Sequence, residues 1–589
     1  AVDGAAQVIN AGLNVRTNFS LPENFIYPLR HAISEGKISM QTIDSRVADV
    51  LRVKFMMGLF DNPYKGDTKK LEKVVHCKEH QNVSMRAALE SIVLLKNENN
   101  ILPLSKSIKK VAVIGPNAAE VDNLICRYGP ANAPIKTVYQ GIKDYLPDSE
   151  VRYAKGADII DEYFPESELY DVPLNKTEET MIDEAVALAK ESDVAIMVLG
   201  GNEKTVREEY SRTNLDLCGR QEKLLQAVYA TGKPVILVMI DGRAATINWA
   251  ERYIPGIVHA WFPGEFMGDA IAKVIFGDYN PGGKLTVTFP KSVGQIPLNF
   301  PAKPSSQIDG GKNPGMPGNM SRVNGPLYPF GYGLSYTTFE YSDLQVSPKV
   351  ITPNQKVTVT CKVTNTGKRA GDEVVQLYLR DVVSSLTTYE KNLVGFERLH
   401  LKPGETKEVR FMLDRKDMEL LNAKNDWVVE PGEFRVMAGA SSEDIRLTDK
   451  FAVVEYGMNG VWSETGNSKG DAISASTEMQ DVGMTLDNDL KTCWQGNKGD
   501  YITFALENGA KIDGLSIAWK KENTGEADFE IQLSGGGGQF LTVYSGSVSK
   551  FNEWMSYTFK GTTASDLRIL LNSDGLGVAE VKINQLKKE

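Results

Sequence analysis

The sequence predicts a multidomain protein, α/β in its first half and all-β in its second, and three observations carry that prediction. Between residues 85 and 300, apolar runs alternate with helical patterns, as expected of a mostly parallel sheet covered on both faces. From residue 337 onward the pattern changes to period-two alternation broken by turn residues, which is the mark of β-sandwiches. At 589 residues the chain is also too long for one core.

Taken in order, residues 1–63 predict a helix, a short strand over LNVRTNF, and two further helices over PENFIYPLRHAISEG and SMQTIDSRVADVLRVKFMMGLF, where Val47, Val50 and Leu51 follow helical spacing. These elements are too few to enclose a core of their own. Residues 64–84 are charged and poor in large apolar side chains, so a connector is expected there. A helix is predicted through MRAALESIVLLKN. Strands are predicted over KKVAVIG (109–115), DVAIMVLGG (193–201), PVILVMIDG (234–242), GIVHAWFPG (256–264) and KLTVTFP (284–290), with helices at 178–190, 219–231 and 268–275. Residues 301–336, rich in Pro, Gly, Ser and Asn, read as an irregular linker. One β domain is expected over 337–455 and a second, of different character, over 456–589.

Composition excludes several classes of function. The net charge of −10 and the absence of a basic stripe argue against a nucleic-acid partner. No apolar run is long enough for a membrane span, and the start lacks the charged-then-apolar pattern of a signal peptide. The chain opens on Ala1, as expected of a cleavage product or a piece of a longer protein. Five cysteines, odd in number and dispersed, suggest neither a disulfide framework nor a zinc site. His76, Cys77 and His80 read as a surface turn. A nucleotide site is not expected, because I-G-P-N-A-A follows the first strand in place of a phosphate-binding glycine motif. Asp241-Gly242-Arg243 and Pro263-Gly264-Glu265 read as tight turns.

The chemistry is expected in residues 194–225, VAIMVLGGNEKTVREEYSRTNLDLCGRQEKLL. A buried strand opens at Gly200-Gly201 onto a loop carrying Glu203, Arg207, Glu208, Glu209, Arg212 and Asp216, and a helix follows. Parallel sheets place functional groups at this end of their strands. On residues alone, the loop is either such a site or a solvated charged loop.

The segment T-V-R-E-E-Y-S-R-T-N-L-D-L-C-G-R-Q resembles the loop of family 3 glycoside hydrolases usually written G-E-x-x-S/D-R-x-x-L-D-L-P-G-R-Q. By that resemblance Glu208 is the general acid/base, with Glu209 the alternative one residue on; Cys218 stands where the family usually has Pro. VAVIGPNA, GRQ and FGDYNPGGKLTVTFP resemble the family's α/β sandwich domain, and LYPFGYGLSYTTFEY its lead into a fibronectin type III-like domain. INAGLNV resembles the entry to the last strand of its (β/α)8 barrel, with Asn14 in place of Asp, so residues 1–63 would be the C-terminal part of that barrel. In such a fold Arg16 and Asn18 would line the sugar pocket, with Arg212 a further substrate contact. The family's aspartate nucleophile would lie upstream of Ala1.

TLDNDLKTCW resembles the D-G-D/N-x-x-T-x-W loop of F5/8 type C, or discoidin-like, carbohydrate-binding modules. That resemblance implies a structural Ca2+ held by Asp487, Thr492 and Glu580, oxygen ligands suited to a hard cation. Trp494 is expected in the core, and Trp519, Phe540, Tyr544 and Trp554 on loops as stacking candidates.

The resemblance implies a retaining exo-acting β-glycosidase, a β-glucosidase or alternatively a β-xylosidase, acting on β-linked oligosaccharides, periplasmic or secreted, with no cofactor for catalysis. Retention requires two carboxyl groups about 5–5.5 Å apart. Its second one would come from the missing barrel segment, so this chain alone is expected to be inactive. Homo-oligomers are compatible with this reading. The rival is a non-catalytic carbohydrate-binding or scaffolding protein.

Overall fold

In the computed structural model the described residues are 1–589 without 18, 65, 126–128, 130–133, 305–322, 324, 454–472, 478, 487–489, 522–524, 536–538 and 586–589. The chain forms two units, Ala1–Val83 and Ser84–Glu589.

The first unit is helical: α1 (Val2–Asn10), α2 (Glu23–Ser34), α3 (Met40–Met56) and α4 (Thr68–Val74). Its core is small, built around Ala6, Ile9, Ala32 and Ile38. No residue of α3 is buried, and Val53, Phe55 and Met56 stand in solvent. The strand expected over LNVRTNF does not form among the described residues, because a strand needs a paired neighbour and none lies beside it. The expected connector instead holds α4, capped by the Asp67 side chain on two backbone N–H groups, and the start of α5 (Lys78–Ser91).

The second unit begins with a six-stranded sheet of order β1-β6-β5-β4-β2-β3, formed by β1 (Val93–Asn97), β2 (Lys110–Ile114), β3 (Glu150–Ala154), β4 (Val194–Gly200), β5 (Val235–Ile240) and β6 (Gly256–His259). β1 is antiparallel to β6, and the other pairs are parallel. All seven residues of β4 are buried, which is why the strand reads as a continuous apolar run. Successive side chains feed opposite faces. Val111 and Val113 join α6 (Val138–Tyr145) and α10 (Met267–Ile275) on one side; Ala112 and Ile114 join α7 (Lys176–Glu191), α8 (Gln221–Tyr229) and α9 (Asn248–Tyr253) on the other. Two expectations are corrected here. Val93–Asn97 is an edge strand, not the tail of a helix, because its apolar run packs against the sheet. KLTVTFP makes only an isolated bridge, Phe289 to Tyr328, since Leu285 and Phe289 enter the core beside the linker.

A β-sandwich follows. Its two sheets are formed by β7 (Phe339–Ser347), β8 (Val350–Ile351), β9 (Val357–Asn365), β10 (Gly371–Asp381), β11 (Asn392–Leu401), β12 (Thr406–Leu413), β15 (Gly432–Gly439) and β16 (Ile445–Val453), with β13 (Leu420–Leu421) and β14 (Trp427–Val428) as a separate short pair. They run β11-β10-β15-β16-β8 and β12-β9-β7, and β9 shows the alternating burial that its sequence predicts. It is sewn to the α/β domain by buried polar groups. Lys284 Nζ donates to the Gly333 carbonyl at 2.8 Å and lies 3.4 Å from Glu373 Oε2, while Tyr341 Oη donates to Glu373 Oε1 at 2.8 Å. Arg398 pairs with Asp372 and reaches Tyr279 Oη at 3.0 Å.

The last domain is a seven-stranded sheet organised by two long strands, β19 (Tyr501–Lys521) and β22 (Trp554–Leu571), over a core of Trp494, Phe504, Trp519 and Phe529. It packs on Val350 and Ala452 of the preceding sandwich. Trp519 is therefore not a loop platform: it lies in β19, 0% exposed, with its Nε1 donating to Tyr557 Oη at 2.8 Å. Tyr544 and Trp554 also sit on strands, and Phe540 stacks on the Arg568 guanidinium.

Candidate active site

The loop at residues 202–216 leaves the carboxyl end of β4, and its root is clamped before any charged residue appears. Gly200 sits at φ +141°, where an added Cβ would lie 2.0 Å from the Ile240 carbonyl, so only glycine fits. The Gln221 side chain pairs with both backbone groups of Gly200, at 2.8 and 2.9 Å, and also donates to the Cys218 carbonyl. Buried Asn117 donates to the carbonyls of Gly201 and Ile240 at 3.0 and 3.2 Å. A tight turn follows, in which the N–H groups of Thr205 and Val206 donate to the Asn202 carbonyl. The G-R-Q motif thus acquires a physical reading. Gly219 takes φ +61° beside the Ile159 carbonyl, Arg220 pairs with Glu178 at 3.0 Å, and Gln221 fixes Gly200.

Beyond the turn, Arg207 donates to Glu203 at 3.1 Å and its guanidinium lies 3.8 Å from the centre of the Tyr210 ring. Arg243, on the loop after β5, donates to the Tyr210 carbonyl at 2.7 Å. Glu208 and Glu209 are held between these contacts, both exposed. Glu209 has φ +69°, in the left-handed region that disfavours L side chains. Arg212 turns away from the pair into a buried ion pair with Glu168 and also donates to the Asp216 carbonyl at 2.8 Å. Asp216 accepts from the Thr246 hydroxyl. Arg207 therefore sits on Glu203 and Arg212 on Glu168. Glu208 is not buried in this chain. Asp241, at the end of β5, is nearly enclosed, and burial raises its carboxyl to about 6, opposed by the Arg243 N–H and by the Arg212 and Arg243 charges.

The other expected site residues lie elsewhere. Arg16 is exposed in the first unit, its guanidinium 5.0 Å from the Phe25 ring centre. Asn18 and Asp487 lie outside the described residues. Glu580 is 0% exposed in β23 (Leu576–Gln585), whose antiparallel pairing with the strand at Trp494 ends at Val578, two residues short of Thr492 on one side and of Glu580 on the other. Sequence reasoning missed Glu168 and Arg243. Glu168 stands in an acidic segment far upstream, with no local signal, whereas Arg243 follows the Asp-Gly turn already noted at the same sheet edge.

Residues 92–336 match the Glycosyl hydrolase family 3 C-terminal domain, and residues 373–442 the Fibronectin type III-like domain. Among curated relatives, a beta-xylosidase of Formosa agariphila is 40% identical over 75% of this chain and 60% of its own length. A periplasmic beta-glucosidase of Salmonella typhimurium is 39% identical over 70% of this chain and 56% of its own. A solved β-glucosidase from Erythrobacter marinus superposes with a TM-score of 0.67 at 35% identity, covering 77% of this chain and 60% of the other. The chain therefore spans less than two thirds of the length of these relatives. No described helix is long and apolar enough to cross a membrane. Residues 92–336 are a family 3 glycosyl hydrolase C-terminal domain, with a fibronectin type III-like domain behind it.

Proposed function

We propose that this chain is the acid/base-bearing part of a retaining, exo-acting β-glycosidase of the β-glucosidase type, whose nucleophile is supplied by a segment preceding Ala1. The observation that carries it is Glu208: an exposed carboxyl presented at the carboxyl edge of a parallel sheet, on a loop whose two arginines are turned to Glu203 and Glu168. Docking of the upstream segment would enclose Glu208 beside the nucleophile carboxylate, the pairing that a retaining mechanism needs. The first unit supports the reading. Its core is too small for its exposed apolar side chains, as expected of the end of a barrel that lacks its other strands. Its likeness to a periplasmic enzyme supports a periplasmic or secreted location for this protein.

The last domain is proposed to be the discoidin-like carbohydrate-binding module. Its buried Glu580 would hold a structural Ca2+ together with Thr492 and Asp487, tying the loop before β18 (Trp494–Gly496) to β23.

The test is Glu208→Gln in the full-length protein. For alkyl β-glucosides kcat/KM should fall about 10²–10⁴-fold, since the departing alkoxide needs a proton; 2,4-dinitrophenyl β-glucoside, whose phenolate leaves unaided, should lose little. Azide, which needs no base, should restore turnover and yield a β-glycosyl azide. Equal losses on both substrates would overturn the reading, and retained turnover by residues 1–589 alone would remove the upstream nucleophile. Parallel assays with β-xylosides decide the sugar.

A further inference from the structure

The segment between β3 and α7 runs along the second half of the Glu208 loop. The Ile159 carbonyl lies 3.0 Å from where a Cβ on Gly219 would stand, and Glu168 reaches into the loop itself. Glu168 Oε1 accepts from Arg212 Nε. Its Oε2 accepts from the Thr213 N–H at 3.0 Å and the Thr213 hydroxyl at 2.8 Å, and its backbone carbonyl accepts from Asn214 Nδ2 at 3.1 Å. One residue thus binds three consecutive loop residues. The Glu168 and Arg212 side chains are 5% and 7% exposed.

We propose that Glu168 is a positioning residue that sets where Glu208 delivers its proton, an inference that rests on the acid/base reading of Glu208. Two anchors follow Glu208 at once, Arg243 on the Tyr210 carbonyl and Glu168 on residues 212–214, ahead of the Thr246 contacts to Leu215 and Asp216. Glu208 stands just before both. Between them lies only Ser211, so a shift at the Glu168 anchor is passed to Tyr210 and to the left-handed turn at Glu209 with almost no chain to absorb it. Proton transfer demands hydrogen-bond reach to the leaving oxygen. Displacement of a catalytic group by about 1 Å costs on the order of a hundredfold. Glu168 also neutralises Arg212, four residues from Glu208, and keeps that cation away from it.

The experiment uses the full-length enzyme with Glu168→Gln, which keeps shape but replaces an acceptor oxygen, and Thr213→Val, which removes one contact to the same carboxylate. Each is made alone and in the Glu208→Gln background. With an alkyl β-glucoside, Glu168→Gln should lower kcat/KM by about tenfold to a hundredfold, and Thr213→Val by less; with 2,4-dinitrophenyl β-glucoside either change should stay within about threefold. In the Glu208→Gln background neither should cost anything further, because the group they position is gone. Equal losses on both substrates, or losses that add to that of Glu208→Gln, would overturn the proposal and leave Glu168 a stabiliser of the fold. Absence of leaving-group dependence in Glu208→Gln itself would remove the acid/base reading, and this inference with it.

Discussion

Two adjacent carboxylates are told apart by their backbones. Glu209 occupies φ +69°, a conformation costing an L residue about 1–2 kcal/mol that glycine adopts freely. A group that must aim its side chain is poorly served by such a turn, whereas the turn itself directs its neighbour. Glu209→Gly should therefore keep activity and change stability by less than about 1 kcal/mol, strain relief offsetting glycine's extra chain entropy; Glu209→Val should cost about 1–2 kcal/mol. Loss of azide-rescuable turnover in Glu209→Gly, with Glu208→Gln unaffected, would move the acid/base by one residue. The resemblance leaves the choice between Glu208 and Glu209 open, since a motif carries residue types but not φ. Asp241 was legible only as part of a turn; its enclosure was not. Its carboxyl titrates at about 6 in the folded chain, above the value near 3.9 expected when unfolded. The sign follows: stability is full below about pH 4 and falls as pH rises towards 6, by about 3 kcal/mol in total. Asp241→Asn removes this loss. The difference in unfolding free energy between it and the unsubstituted protein should grow between pH 4 and 7 and then level off; a flat difference would mean Asp241 ionises normally.

At the scale of elements, α7 shows how one side chain serves two purposes. Glu178 closes the capping box of α7 by accepting from the Asn175 N–H at 2.9 Å, and its other oxygen holds Arg220 in a buried pair. Asn175→Ala should cost about 1 kcal/mol, the usual worth of a cap. Glu178→Ala should cost about 3–5 kcal/mol, because it strands the Arg220 guanidinium. Denaturant unfolding separates these values, and equal costs would mean that the Arg220 pair contributes nothing. The same scale shows where sequence patterns run out. β2, β4, β5 and β6 were legible because burial on both faces leaves a continuous apolar run. β1 was not: its apolar residues continue the pattern of α5, and periodicity cannot divide a helix from the strand it feeds. β3 was missed as well, since an edge strand with burial alternating through Glu150, Val151 and Arg152 carries half the signal.

For the whole molecule, the passage from the α/β domain to the β domains was legible because it changes the period of the apolar pattern, while the ties between domains were not, being made by single polar residues far apart in sequence. The last domain provides one test. If Ca2+ joins Thr492 and Glu580, excess chelator should lower the melting temperature of that domain by the equivalent of a few kcal/mol, and readdition of Ca2+ should restore it. An unchanged transition would leave a buried carboxylate with a purely local role.

The seam between the α/β domain and the first sandwich has a consequence for how the protein can be divided. Lys284, Tyr341 and Glu373 share one buried network, and Arg398 closes another with Asp372 and Tyr279. The Tyr341–Glu373 and Arg398–Asp372 contacts stay within the sandwich, but parting the domains takes Lys284 from Glu373 and Tyr279 from Arg398, so the Glu373 carboxylate, 4% exposed, loses its cation, at about 3–5 kcal/mol for such a pair. The two domains should therefore melt in one calorimetric transition. A chain cut after residue 336, though it keeps every strand of the parallel sheet, should unfold at a lower temperature than one that runs on to 453. What looks like a string of separable modules would then behave in solution as a single cooperative body, and shuffling the sandwich onto another enzyme would fail unless the seam travelled with it.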